Sequence, residues 1–334
     1  MMKKLSVGIL VLVGVTFLVG EAFAQKAINL SLGHIMAPET HQGVALEQFA
    51  KLVKEKSKGK IEVKVYPSQQ LGNAMKMMEG VSMGSQDMVA ESTTFWEIYA
   101  KDLQIAETPY TFRDRDHFEK FLKSPIFRKI EEDVIKNGQQ RFITTDYTWQ
   151  RGPFRVLISK PKPILVPDDL KGFKLRLWEA KTIHRYWSWL GATTVTISYG
   201  EAYMAMKQGI IDGLTSPYDA VWGMKFTEVG KYVSMLQQYW QTMVISMNEK
   251  KFQGLDAAGK KALVDSANEA GVWYTKRVRG AVESDMQRMM DEHGAVFIYV
   301  SRKPWVEKIK GLAEKLEEEG YWRKGLNAEV QALK

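Results

Sequence analysis

Residue types able to do chemistry are sparse and scattered in this chain. Its five histidines, His34, His41, His117, His184 and His293, stand far apart. His34 and His41 are the nearest pair, and neither has an acidic or histidine partner at metal-motif spacing. No HExxH, GxSxG, Walker or GxGxxG pattern occurs. There is no cysteine, which excludes disulfides, thiolate metal sites and a lipid-modified N-terminal Cys. Asp168 and Asp169 form a carboxylate pair, but they open the turn at Lys171-Gly172. Asp at such a place serves as a turn or cap residue. No metal and no cofactor is expected. Catalytic groups that meet only in the folded chain leave no such spacing, so an enzyme acting on a small organic acid stands as the alternative reading.

Arginine is the better lead. Arg176 lies inside the apolar run Phe173-Lys174-Leu175-Arg176-Leu177-Trp178. Strand alternation puts Lys174, Arg176 and Trp178 on one face and Phe173, Leu175 and Leu177 on the other. A guanidinium facing a cleft can clamp a carboxylate through two parallel hydrogen bonds. The competing reading is a surface arginine on an edge strand. Arg155 opens the run Arg155-Val156-Leu157-Ile158, and Arg151 precedes it by four residues. One of the two is expected to reach the cleft, and the pattern does not choose. Among ten tryptophans, Trp96, Trp149, Trp178, Trp222 and Trp240 lie near element ends, where pockets form. Two or three of them lining the site would give it an apolar wall. The other glycines and turns read as punctuation: helix ends and loops.

The elements that must position these groups follow an export signal. Lys3 and Lys4 precede an apolar run over 5–20, and Ala22-Phe23-Ala24 is a small-x-small cleavage triplet. The cut is expected after Ala24, placing the mature protein in the periplasm. A spanning helix needs about 20 apolar residues, more than this run supplies. About 310 residues remain, enough to bury roughly three quarters of the unfolded surface, and two lobes are expected at that length. The precursor carries a net charge of +8. Its Lys and Arg are interspersed with Asp and Glu, as in Lys54-Glu55-Lys56, the pattern of solvated helix faces. That excludes a nucleic-acid stripe and fits attraction of an anionic solute.

Periodicity predicts strands over 27–35, 60–66 and 87–92, separated by helices over 40–58 and 73–83. This β-α-β-α-β order implies a parallel sheet. Helices are predicted over 114–123 and 125–137, and strands over 141–148 and 154–159. After Pro161, Pro163 and Pro167 come a strand over 174–178, a helix over 180–190, a short Thr/Val strand, a helix over 199–208 and a strand over 210–216. The last third is a long helix over 256–293, a strand over 295–301 and a charged terminal helix from about 304. The strand-rich sections on either side of Gly152 define two α/β lobes. The cleft between them is the expected site.

At this point the chain resembles the periplasmic solute-binding subunits of TRAP (tripartite ATP-independent periplasmic) transporters, in their C4-dicarboxylate-binding branch. Pro167-Asp168-Asp169-Leu170-Lys171-Gly172-Phe173-Lys174-Leu175-Arg176 is similar to the family's P-x-D-L-K-G-L-K-x-R segment. Gly191-Ala192 and the run from Gly200-Glu201-Ala202-Tyr203 to Asp212-Gly213 resemble its G-A … E-x-Y-x-A-L-x-x-G-x-x-D-G segment. Gln70-Leu71-Gly72, Asp87-Met88 and Pro109-Tyr110-Thr111-Phe112-Arg113 fall where the family has P-x-x-Q-L-G, G-x-x-D-M and P-F-L-F-R. The resemblance implies a periplasmic-binding-protein-like α/β fold, with two lobes around a ligand cleft and a long helix touching both. It places 25–150 plus about 240–275 in lobe I, and 151–239 plus about 276–334 in lobe II. It implies delivery of a small carboxylate to TRAP membrane permease subunits by a monomer, with a dimer as the other option. The family's carboxylate clamp maps onto Arg176, and its second arginine onto Arg155 rather than Arg151. Where the family often reads D-G-x-x-N-P, with an Asn that contacts ligand, this chain has Ser216. Ser has a shorter reach and no amide NH2, so the contact shifts to Thr215 or to water. The set expected around the ligand is Arg176, Arg155, Ser216, Thr215, Trp178, Trp96, Thr93, Tyr218 and Tyr239. Presentation of ligand to a membrane sensor is the remaining alternative to transport.

Overall fold

The computed structural model describes residues 27–152 and 154–334; the export signal and its cut lie outside the described residues. In chain order the strands are β1 (Ile28–Gly33), β2 (Ile61–Tyr66), β3 (Met88–Ser92), β4 (Gln140–Phe142), β5 (Arg155–Ser159), β6 (Lys174–Leu177), β7 (Thr193–Thr196), β8 (Gly213–Pro217), β9 (Tyr232–Met235), β10 (Met243–Asn248) and β11 (Val296–Tyr299). They build two sheets, ordered β2-β1-β3-β10-β4 and β11-β9-β5-β8-β6-β7. Helices pack on both, so the two-lobed α/β architecture is present. Among the described residues, no helix is long and apolar enough to cross a membrane.

Neither sheet is purely parallel, which corrects the β-α-β expectation. β1 runs parallel to β2 and β3, but β10 is antiparallel to both β3 and β4. In the other sheet β5 is antiparallel to β8 and β9. The antiparallel strand β10 and its neighbour β9 come from a stretch where no strand is predicted. Every residue of β10, MVISMN, is buried, so it shows no two-residue alternation. It enters the first sheet directly from the second lobe rather than through a helical crossover, and so arrives in the opposite direction.

Local chemistry sets the helix starts. The Thr40 hydroxyl accepts from the Gly43 amide and caps the helix His41–Lys56. Asn73, Asp114, Ser124 and Asp256 do the same for their helices. The strand expected over 141–148 stops at Phe142. Beyond it the amides of Thr145 and Asp146 donate to Asn268 Oδ1 on the long helix instead of to a strand.

That helix, Ala257–His293, touches both lobes. His41 of lobe I meets its Asp285 at 2.8 Å, while Tyr218 and Thr227 of lobe II bond Val282 and His293. Gly271 lets it pass close to the first lobe. A Cβ there would come within 2.3 Å of Thr148 Oγ1 and 2.5 Å of the Trp149 ring. Gly271→Ala gains about 1 kcal/mol of helix propensity, but the clash with a fully buried Trp outweighs it. A net loss of about 1–2 kcal/mol is expected, read as a lower denaturant midpoint. This glycine is neither a helix end nor a turn, contrary to the general reading of the glycines.

The terminal helix is also three short pieces, Lys303–Lys308, Leu312–Glu318 and Leu326–Gln331. Gly311, Gly320 and Gly325 sit at positive φ and break it. The breaks let the tail cross over. Trp305 donates to Leu165 O and Arg185 pairs with Glu319 in the second lobe. Further on, Arg323 pairs with Asp102 and Arg113 donates to Leu333 O. The end of the chain thus packs on the helical insert between β3 and β4, not on lobe II alone.

Candidate functional site

The strand β6 carries Arg176 into the space between the sheets. Arg176 is 2% exposed. Its Nε donates to Ile197 O at 2.7 Å, and its guanidinium lies 5.2 Å from the Tyr199 ring centre. Among the described residues it forms no ion pair. Burial pushes its guanidinium down to about 10, and the nearby Arg155 charge pushes the same way. The lone charge remains protonated at neutral pH and lacks a counter-ion.

Arg155, at the start of β5, is held rigidly beside it. Its guanidinium bonds Gln241 Oε1 and both oxygens of Thr215, and stacks 4.4 Å over Trp178. Gln241 in turn donates to the buried Glu107, whose carboxyl burial pushes up. Arg155 Nε and Trp178 Nε1 have no partner. Arg151 is buried too. It pairs with Asp219 at 3.4 Å and donates to Ser92 Oγ. Asp219 keeps its pKa high despite burial. Glu91 completes the polar rim, its carboxyl pushed up to about 7 by burial, with Arg151 opposing.

These groups surround an enclosed cavity of about 30 Å³, lined also by Ile35, Met36, Phe95, Tyr199 and Pro217. That is far below the ~300–1,000 Å³ of open ligand pockets, so the cleft is drawn nearly shut. A groove of about 820 Å³ lies between residues 108–113 and the C-terminal helices. It is larger but is an open surface trough without the buried arginines, so size does not mark the site here; convergent buried charge does.

The expected residues divide into three groups. Arg176, Arg155 and Trp178 line the cavity. Thr215 and Ser216 stand one step behind: Thr215 holds Arg155, and Ser216 Oγ sits 2.7 Å from the Tyr199 hydroxyl. The others lie off the cavity wall. Trp96 is in the core, edge-on to Phe142, its Nε1 donating to Gln140. In the tight helical turn Thr93–Ile98 neighbouring side chains point apart, so Phe95 takes the cavity position. Tyr218 bonds the long helix, Thr93 pairs with Thr242 O, and Tyr239 is buried near Arg155. The choice between Arg151 and Arg155 was a false one, since both face the cavity. Glu91, a carboxylate inside the wholly buried strand β3, was the missed signal available in the sequence. Among the described residues no cluster of His, Asp and Glu could hold a metal ion.

An enclosed, arginine-lined cavity between two α/β lobes is the arrangement of a solute-binding protein. Residues 32–319 match the family described as bacterial extracellular solute-binding protein, family 7, and the chain belongs to it. The 2,3-diketo-L-gulonate-binding periplasmic protein YiaO of Escherichia coli is 28% identical over 265 residues, 79% of this chain and 78% of that protein. A TRAP periplasmic solute-binding protein from Ochrobacterium anthropi, solved with L-fuconate, gives a TM-score of 0.83 at 27% identity, covering 92% and 99% of the two chains. A Polaromonas counterpart solved with D-erythronate gives 0.83 at 24% identity, with the same coverage.

Proposed function

We propose that this protein captures a small organic carboxylate in the periplasm and delivers it to TRAP membrane subunits. The carrying observation is Arg176: a buried guanidinium with no carboxylate partner. Such a charge is costly unless an anion completes it. Relatives that bind a keto-gulonate, L-fuconate and D-erythronate support an acid ligand. The apolar walls Ile35, Met36, Phe95 and Trp178 favour a short acid with few hydroxyls over a long sugar acid. In this reading the signal is cut after Ala24, and the lobes divide near residues 150 and 240, with the tail spanning both. The protein acts as a monomer and turns nothing over.

A thermal-shift screen of short organic acids tests this. A ligand at a hundred times its Kd adds about 2.7 kcal/mol, so the matching acid raises the melting temperature by several degrees. If no short carboxylate shifts it, the reading fails. Product in stoichiometric excess, seen by mass spectrometry after incubation, would instead establish the enzyme alternative.

A further inference from the structure

The helix Lys181–Trp189 follows directly from β6 and from Trp178. It begins at Ala180, which offers no side-chain cap. Ala is among the poorest N-cap residues. Yet its first turn is not left bare. The Lys181 amide donates to Glu97 Oε1 at 3.3 Å, and the Thr182 hydroxyl bonds Gln104 Oε1. Glu97 and Gln104 belong to the two short helices Thr93–Ile98 and Lys101–Glu107, which follow β3 in the other lobe. Gln104 and Thr182 are both buried, and Gln104 is held from behind by its bond to Tyr321 O. Lobe I therefore supplies acceptors that the lobe II helix lacks, and it can do so only when the cleft is shut. A carboxylate is also favoured there by the helix dipole.

We propose that Glu97 and Gln104 form a closure latch: they complete the first turn of the helix behind Arg176 and Trp178 only in the shut state, so capture of the ligand and positioning of its clamp occur together. This rests on the cleft being the ligand site. Glu97 and Gln104 touch no part of the cavity wall, so they are positioning residues. The latch also carries a pH signature. In the shut state burial pushes the Glu97 carboxyl up to about 7; the bond from Lys181 N–H opposes this, and Glu107 adds to it. The other charged or titratable groups around this seam are Glu179, Lys181, His184 and Arg185 on the lobe II side and Tyr321 of the tail. Arg185 is engaged by Glu319, and burial lowers the His184 pKa. An open cleft returns Glu97 to the ordinary carboxylate range, near 4.3. Shutting therefore takes up a proton. The latch is strongest below that range, weakens as pH rises through the window up to about 7, and is flat above it.

The test needs no ligand, so it is independent of the identity of the acid and of the role of Arg176. A Cβ at Gly200 would lie 2.0 Å from the Gln69 side-chain amide across the cleft mouth, so these two positions meet only when the lobes shut. The chain has no cysteine, and Gln69→Cys with Gly200→Cys gives a unique pair. The rate at which a short bis-methanethiosulfonate reagent bridges the pair, relative to labelling by its monofunctional analogue, reports how often the cleft shuts. At pH 5, adding Glu97→Ala slows bridging about five-fold, the effect of a lost cap, while Glu97→Gln retains the acceptor and restores the rate. The ratio of the Glu97→Gln rate to the parent rate rises roughly ten-fold between pH 5 and pH 8. Thiol chemistry and the buried Glu91 cancel in that ratio. Equal bridging in the parent and Glu97→Ala proteins at pH 5 overturns the latch, and a ratio independent of pH overturns its proton uptake.

Discussion

Arg176→Ala will bind the acid found by thermal screening at least about 100-fold more weakly than the wild type, while remaining folded. Removing one partner of a buried, hydrogen-bonded charge pair costs about 2–5 kcal/mol. At the low end that is roughly thirty-fold, at the high end several thousand-fold. Arg176 belongs towards the upper part of the range. It is 2% exposed, has no neighbouring carboxylate to share its charge, and is pushed down to about 10 by burial. Without ligand it is an uncompensated charge, so its loss relieves the empty protein rather than destabilising it. Arg176→Ala should therefore melt at or slightly above the unliganded wild type. Arg176→Lys keeps the charge but not the planar fork, and should fall between the two in affinity. Isothermal titration with the screened acid decides the matter. Wild-type affinity in Arg176→Ala would move the anchor to Arg155, whose guanidinium is already engaged by Gln241 and Thr215.

The parts of this site that were readable in sequence are those set by local rules. Arg176 stands out because it interrupts an apolar strand, and alternation alone put Trp178 on its side. Thr40 and Asp256 mark helix starts because capping depends on only three or four residues. What escaped depends on contacts far apart in the chain. β10 shows no alternation because lobe packing buries both its faces. Phe95 and Trp96 are adjacent aromatics of equal propensity, and only the direction of one tight turn sends Phe95 to the cavity and Trp96 to the core. Ser216 was read as a shortened ligand contact. In the fold its hydroxyl is spent on Tyr199 and the backbone of Pro217, so the replacement of Asn acts through the ring that lies against Arg176. Arg151 and Arg155 competed only while the cleft was imagined as one strand's face. A cavity closed by two lobes and a crossing segment has room for both.

That crossing segment sets the largest expected stability effect: Asp219→Ala should lower the unfolding free energy by about 3–5 kcal/mol. Asp219 is 2% exposed and accepts from two elements at once, Arg151 Nε at 3.4 Å and the Tyr274 hydroxyl at 2.7 Å. Arg151 lies on the segment that joins the lobes, paired to its return strand through the bridge Gln150↔Thr242. Tyr274 lies on the long helix, its ring against Trp149 at 5.2 Å. Truncating Asp219 leaves a fully buried guanidinium with only Ser92 Oγ as partner, and an orphaned phenol. At about 2–4 °C per kcal/mol for a chain approaching this size, the melting temperature should drop by roughly 10 °C. Asp219→Asn keeps an acceptor for Tyr274 but not the charge, and should lose less. If the damage comes from the unpaired Arg151 rather than from lost packing, adding Arg151→Met to Asp219→Ala must restore much of the stability, because an apolar side chain in that place needs no partner. A double variant as unstable as Asp219→Ala would show that the ion pair is not what ties the hinge, and would leave the packing of Tyr274 on Trp149 as the element that does.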